Sequence, residues 1–96
     1  NFQVGNFDHE DQLSRLQLVL PFVVHVHCQN FRPGGAGSGG KYVRCQLADG
    51  MVDYAPLVAT LRGQGYAGCL AVEFAADDGD RKIISLRKDA QYLASL

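Results

Sequence analysis

The sequence lacks a surplus of either charge, a long apolar run and an even set of cysteines. Nine Lys and Arg stand against ten Asp and Glu, a formal net charge of −1 over 96 residues. A balance this close to zero leaves no electrostatic footprint for a nucleic acid duplex or an anionic membrane surface. The longest apolar run, residues 18–24, is interrupted by Pro21 and is much shorter than the ~20 residues a bilayer crossing needs. No basic start leads into an apolar stretch, so no signal peptide is expected. The cysteines Cys28, Cys45 and Cys69 are odd in number, have no zinc-knuckle spacing, and are accompanied by no N-x-S/T acceptor. Reduced thiols in a cytoplasmic protein are therefore expected. Cys69, inside an apolar run, is expected to be a small core residue.

What is present is an ordinary globular mixture, 47% hydrophobic and 20% charged, which at this length suits one domain at most. Residues 1–5 read as the tail of a strand. Asp8 is expected to cap a helix, with Asp11 three residues on giving a weak capping-box pattern. Leu13, Leu16 and Leu20 then recur at helical spacing until Pro21 stops the helix. Residues 22–28 (FVVHVHC) are apolar and β-branched, the pattern of a buried strand. A long loop follows, with five glycines in residues 34–40. Asp53 caps the next helix and Pro56 sits in its first turn. Tyr54, Leu57, Val58 and Leu61 make its apolar stripe, and Gly63 and Gly65 end it. Residues 68–74 (GCLAVEF) read as another short buried strand. Asp80 is expected to open a last helix with Ile83, Leu86, Ala90 and Leu93 on one side.

The resulting order is α/β: about three parallel strands alternating with three helices, joined by right-handed crossovers. Three strands cannot close a barrel, and alone they leave two open edges and little core. The chain opens at Asn1 directly into a strand-like segment. Residues 1–96 are thus expected to be the C-terminal portion of a larger α/β domain, inactive and unstable when isolated. The alternative is a complete small α/β domain.

His25 and His27 alternate with Val24 and Val26, so both imidazoles fall on one side of their strand. Glu73 stands near the C-terminal end of the next strand, where α/β enzymes build their sites. Neighbouring strands lie roughly 4.8 Å apart. His27 and Glu73 can then converge on one ion, since N and O ligand bonds are about 2.0–2.2 Å. Spacing alone leaves the two histidines open between ligands and hydrogen-bonded core side chains. A buried Glu in LAVEF needs a cation, a metal or a raised pKa, unless the strand end is already wet. Residues 35–42 (GAGSGGKY) nearly match a phosphate-binding loop. Tyr42 replaces the required hydroxyl and no helix is expected after Lys41, so a flexible surface insertion is the simpler reading. Arg32 offers a planar donor fork to a hydroxyl, carboxylate or phosphate, or is a solvated loop residue. Cys28 points away from His27 and is expected to pack against a helix. Arg81, Lys82, Arg87 and Lys88 read as the wet face of the last helix.

Two stretches, VVHVHCQNFRP and LADGMVDYAPLVATLRGQGYAGCLAVEF, carry a resemblance over nearly the whole chain. With their H-x-H strand, G-Y-x-G turn and V-E strand they resemble the last strands of the xylose isomerase-like TIM-barrel superfamily. More narrowly they are similar to the sugar phosphate isomerase/epimerase group. The resemblance implies the C-terminal part of a (β/α)8 barrel. It implies that His27 and Glu73 are divalent-metal ligands. QVGNF resembles a D-x-G-N/H strand end whose Asp is a third ligand; here that position is Gln3, a neutral donor. The fourth ligand, a Glu on an earlier strand, would precede Asn1. Gln29 and Asn30 stand where a Lys-Asp pair is frequent, and Ala48-Asp49-Gly50 stands for a glycine-acid-glycine turn.

The implied activity is sugar or sugar phosphate isomerisation or epimerisation, by proton transfer next to a carbonyl through an enediolate. Manganese, magnesium or cobalt is the implied cofactor. Glu73 would serve as ligand and acid/base, His25 would orient substrate or support a ligand from behind, and Arg32 and Asn6 would meet the substrate. The implied partner is a small-molecule sugar or sugar phosphate, without nucleic acid or membrane, and a homo-oligomer is compatible with it. A dehydratase or an abasic-site endonuclease on the same scaffold, or a non-catalytic sugar-binding relative, are the alternatives.

Overall fold

Alternation of small apolar and polar residues decides the sheet, and three short helices cover its apolar side. The computed structural model describes residues 1–4, 11–34, 42–73 and 82–96. In chain order the elements are β1 (Phe2–Gln3), α1 (Gln12–Val19), β2 (His25–Cys28), β3 (Asn30–Pro33), β4 (Tyr42–Cys45), α2 (Tyr54–Gly63), β5 (Cys69–Val72) and α3 (Lys82–Ser95). Short 3₁₀ turns occupy Leu20–Phe22 and Leu47–Asp49.

The strands β1, β2 and β5 form a parallel sheet in that spatial order. Its register sets Phe2, Val26 and Leu70 in one row and Gln3, His27 and Ala71 in the next. On one face Phe2, Val4, Val26 and Cys28 are buried together with Leu16 of α1, Tyr54, Leu57 and Leu61 of α2, and Leu93 of α3. Leu70 and Val72 pack against this same cluster. Fully burying each such aliphatic side chain is worth about 1.5–3 kcal/mol, so this one face holds the fold together. The opposite face carries His25, His27, Ala71 and Glu73, all half-buried, and Cys69, which is exposed.

Local chemistry sets the helix ends. Asp11 begins α1: its Oδ1 accepts the Leu13 and Ser14 N–H groups at 3.0 and 3.3 Å, and its Oδ2 accepts the Ser14 hydroxyl at 2.7 Å. The expected cap, Asp8, lies outside the described residues. Pro21 ends the helix through a 3₁₀ turn closed by Val23 N–H on Leu20 C=O. That turn leaves Phe22 and Val24 79% and 76% exposed, so the strand begins only at His25 and not at residue 22. Asp53 caps α2 as expected, accepting the Ala55 N–H at 3.1 Å. Gly65 then takes φ +70°, the left-handed region that suits glycine after a helix.

Three further expectations are corrected. The long glycine loop contains an antiparallel hairpin, β3 with β4, in which Asn30 pairs with Cys45 and Arg32 with Val43. Tyr42 therefore opens a strand where a phosphate-binding loop would open a helix. Helix α3 buries Ser85, Asp89 and Leu93, while Ile83 and Leu86 are exposed. The reason is polar: Asp89 Oδ1 accepts the Leu47 N–H at 2.9 Å and Ser85 C=O accepts Gln46 Nε2 at 3.3 Å, which turns this face onto the 46–49 segment. Cys69, finally, is exposed because its parity places it on the sheet face opposite the helices. Asp80 and Arg81 lie outside the described residues; Arg87 and Lys88 are exposed as expected. Among the described residues, no helix is long and apolar enough to cross a membrane.

Candidate functional site

Parallel strands bring their C-terminal ends to one rim, and two chemically active side chains meet there. Ala71 lies beside His27 in the register, and Glu73, two residues on, repeats its parity. The Glu73 N–H donates to Cys28 C=O at 3.0 Å, and the Val4 N–H to His27 C=O at 3.1 Å, so all three strands are tied at this level. His27 Nδ1 and Glu73 Oε1 approach to 3.9 Å, with the side chains 29% and 24% exposed. The Nδ1 atom itself is buried and makes no hydrogen bond among the described residues. Gln3 Nε2 donates to the other carboxylate oxygen, Glu73 Oε2. The His25 ring stands edge-on to the His27 ring, with centroids 4.8 Å apart and planes at 85°.

The structure thus gathers Gln3, His25, His27 and Glu73 in one cluster. Arg32 belongs to the hairpin, exposed on β3. Asn6 lies outside the described residues. Behind the cluster, burial pushes the Cys28 thiol up to about 12, an effect the neighbouring Tyr54 hydroxyl only partly offsets. Cys28 is therefore a neutral thiol in the core, in keeping with its packing against α2.

Whether these residues suit a divalent ion turns on the orphaned nitrogen. A buried imidazole nitrogen without a partner is costly, and an ion or a proton donor satisfies it. One imidazole nitrogen and one carboxylate are donors suited to manganese, magnesium or cobalt. Gln3 presents its N–H end to the carboxylate, so its carbonyl would ligate only after the amide turned over. Among the described residues, no three His, Cys, Asp or Glu side chains are placed to hold one metal ion. His27 and Glu73 therefore fit as part of a ligand set.

Sequence reasoning missed what holds the rim in place. Asn30, 1% exposed, donates from Nδ2 to the carbonyls of Leu47 and Val52, each at 2.8 Å. Its Oδ1 accepts the N–H groups of Phe31 and Val52, each at 3.0 Å. The Tyr54 hydroxyl donates to Gln29 C=O at 2.7 Å. The two residues following Cys28 are thus clamped from both sides. The one sequence signal for this was a glycine, Gly50, in the turn that Asn30 grips. No protein-family model, curated protein or solved structure matches the chain.

Proposed function

We propose that the chain is the C-terminal part of a (β/α)8 barrel of the xylose isomerase-like kind, and that the barrel is a divalent-metal-dependent isomerase or epimerase of sugars or sugar phosphates. The observation that carries this is the 3.9 Å approach of His27 Nδ1 and Glu73 Oε1 at the C-terminal rim of a parallel sheet. Barrel enzymes place their sites at that rim. The winding supports the architecture: β1, β2 and β5 lie in sequence order, and residues of all three helices cover one face. A doubly wound sheet reverses its strand order and carries helices on both faces. The face bearing His25, His27 and Glu73 then corresponds to a barrel interior.

His27 and Glu73 would hold the ion, His27 through its lone Nδ1 and Glu73 through its carboxylate. A bound divalent ion supplies Lewis-acid polarisation of a substrate carbonyl. The Glu73 carboxylate takes the proton from the carbon beside that carbonyl and later returns a proton to the substrate. The Gln3 N–H on Oε2 fixes the carboxylate plane during both transfers. The small Ala71 side chain next to His27 leaves room for substrate on this face.

The test is metal content together with proton exchange in the full-length protein. Bound divalent ion, and solvent deuterium entering a ketose at the carbon beside its carbonyl, are expected. Glu73→Gln should abolish the exchange. Sugar binding with neither ion nor exchange would reject the enzyme. A second reading, a sugar-binding relative without turnover, is favoured by one observation: Gln3 supplies a neutral amide on Glu73 where the resemblance implies an acidic ligand.

A further inference from the structure

We propose that His25 is a positioning residue, whose ring sets the plane of the His27 imidazole so that Nδ1 faces Glu73. The inference rests on the metal-site reading for its functional consequence, though not for its geometry. Strand alternation puts residues 25 and 27 on one face but leaves the imidazole ring nearly free about χ2, a broad torsion with roughly two-fold preference. A metal-binding histidine is usually oriented by a hydrogen bond at its second nitrogen. His27 makes no hydrogen bond at Nδ1 among the described residues and turns that atom toward Glu73 at 3.9 Å, so the second nitrogen is Nε2.

Packing orients the ring as well. The lateral neighbours in the register are Gln3, whose amide is engaged by Glu73, and Ala71, whose methyl group is too small to restrain a ring. His25 is the large flat group in contact, edge-on at 4.8 Å and 85°. Rotating His27 about χ2 would drive its edge into that ring, so the edge-to-face contact selects one plane.

Two substitutions separate this role from a general structural one. His25→Phe keeps a flat ring with a C–H edge, and His25→Ala removes it. In the metal-free full-length protein, nuclear Overhauser contacts between the His27 ring protons and the Glu73 methylenes are expected in the wild type and in His25→Phe, and lost in His25→Ala. Titration with Mn²⁺ alone should show affinity reduced roughly tenfold in His25→Ala and retained within about twofold in His25→Phe. Persistence of the ring contacts in His25→Ala, or their loss in His25→Phe as well, would overturn the inference. A wild-type protein that takes up no Mn²⁺ would reject the metal site separately, and the ring contacts would then decide the positioning role.

Discussion

The side chain of Asn30 occupies the volume that a Cβ would need at Gly50. The pairing explains why a buried amide with four hydrogen bonds is found just beyond the rim that holds His27 and Glu73. It fastens the turn after the hairpin to the end of β2, three residues past His27.

Asn30→Ala should therefore cost about 3 kcal/mol, since it strands the carbonyls of Leu47 and Val52 and the N–H groups of Phe31 and Val52. Gly50→Ala alone should cost about 1–3 kcal/mol by overpacking. The double variant should cost less than the sum, because removing the amide makes room for the new methyl group. Urea unfolding of the four proteins measures this coupling, and strict additivity would reject the pairing.

Asp89 should make stability fall as pH rises. It is 1% exposed, its Oδ2 has no hydrogen bond among the described residues, and burial raises its pKa above 3.8, helped by nearby Asp49 and opposed by the Leu47 N–H. The folded state thus holds its proton more tightly than the unfolded chain. This contribution is complete below about pH 4 and is lost as pH climbs through the raised folded value. Asp89→Asn keeps an acceptor for Leu47 and removes the charge. Thermal melts at pH 4 and pH 7 should show a smaller pH difference in the variant, with a gain over wild type at pH 7. An unchanged difference would refute it.

The two faces of α1 should respond unequally. Leu16 is 1% exposed in the common core, whereas Leu18 is 81% exposed. Leu16→Ala is expected to cost about 2–5 kcal/mol. Leu18→Ala should stay within about 0.5 kcal/mol. Chemical denaturation of both variants checks the assignment of the buried face.

Thiol labelling tests the sheet parity. Cys69 is exposed while Cys28 and Cys45 are buried, and burial raises both of the buried thiols. At pH 8 the folded protein should react rapidly with an aromatic disulfide reagent at Cys69 alone, and at all three cysteines once denatured. Fast native labelling of Cys28 would contradict the placement of its face.

Where one residue's chemistry dominates its surroundings, the sequence was readable. The alternation in HVHC put both imidazoles on one face, and the parity of Glu73 brought it to the same rim. Asp53, the stripe from Tyr54 to Leu61 and Gly65 likewise specify α2 locally. Helix α3 was misread because its buried face is polar: Ser85 and Asp89 are buried by bonds to a turn about forty residues earlier in the chain, which periodicity cannot register. The hairpin was hidden by the glycines between its strands, and Cys69 by neighbours whose apolar character belongs to the other side of the sheet. The Asn30 clamp is a tertiary fit between distant positions and leaves no local pattern.

The amide of Glu73 forms the last rung of the ladder with β2. The carboxylate therefore hangs from a backbone position pinned to the neighbouring strand. Substituting the side chain at 73 should leave this rung and the strand pairing intact, so that a variant there reports on the carboxylate alone.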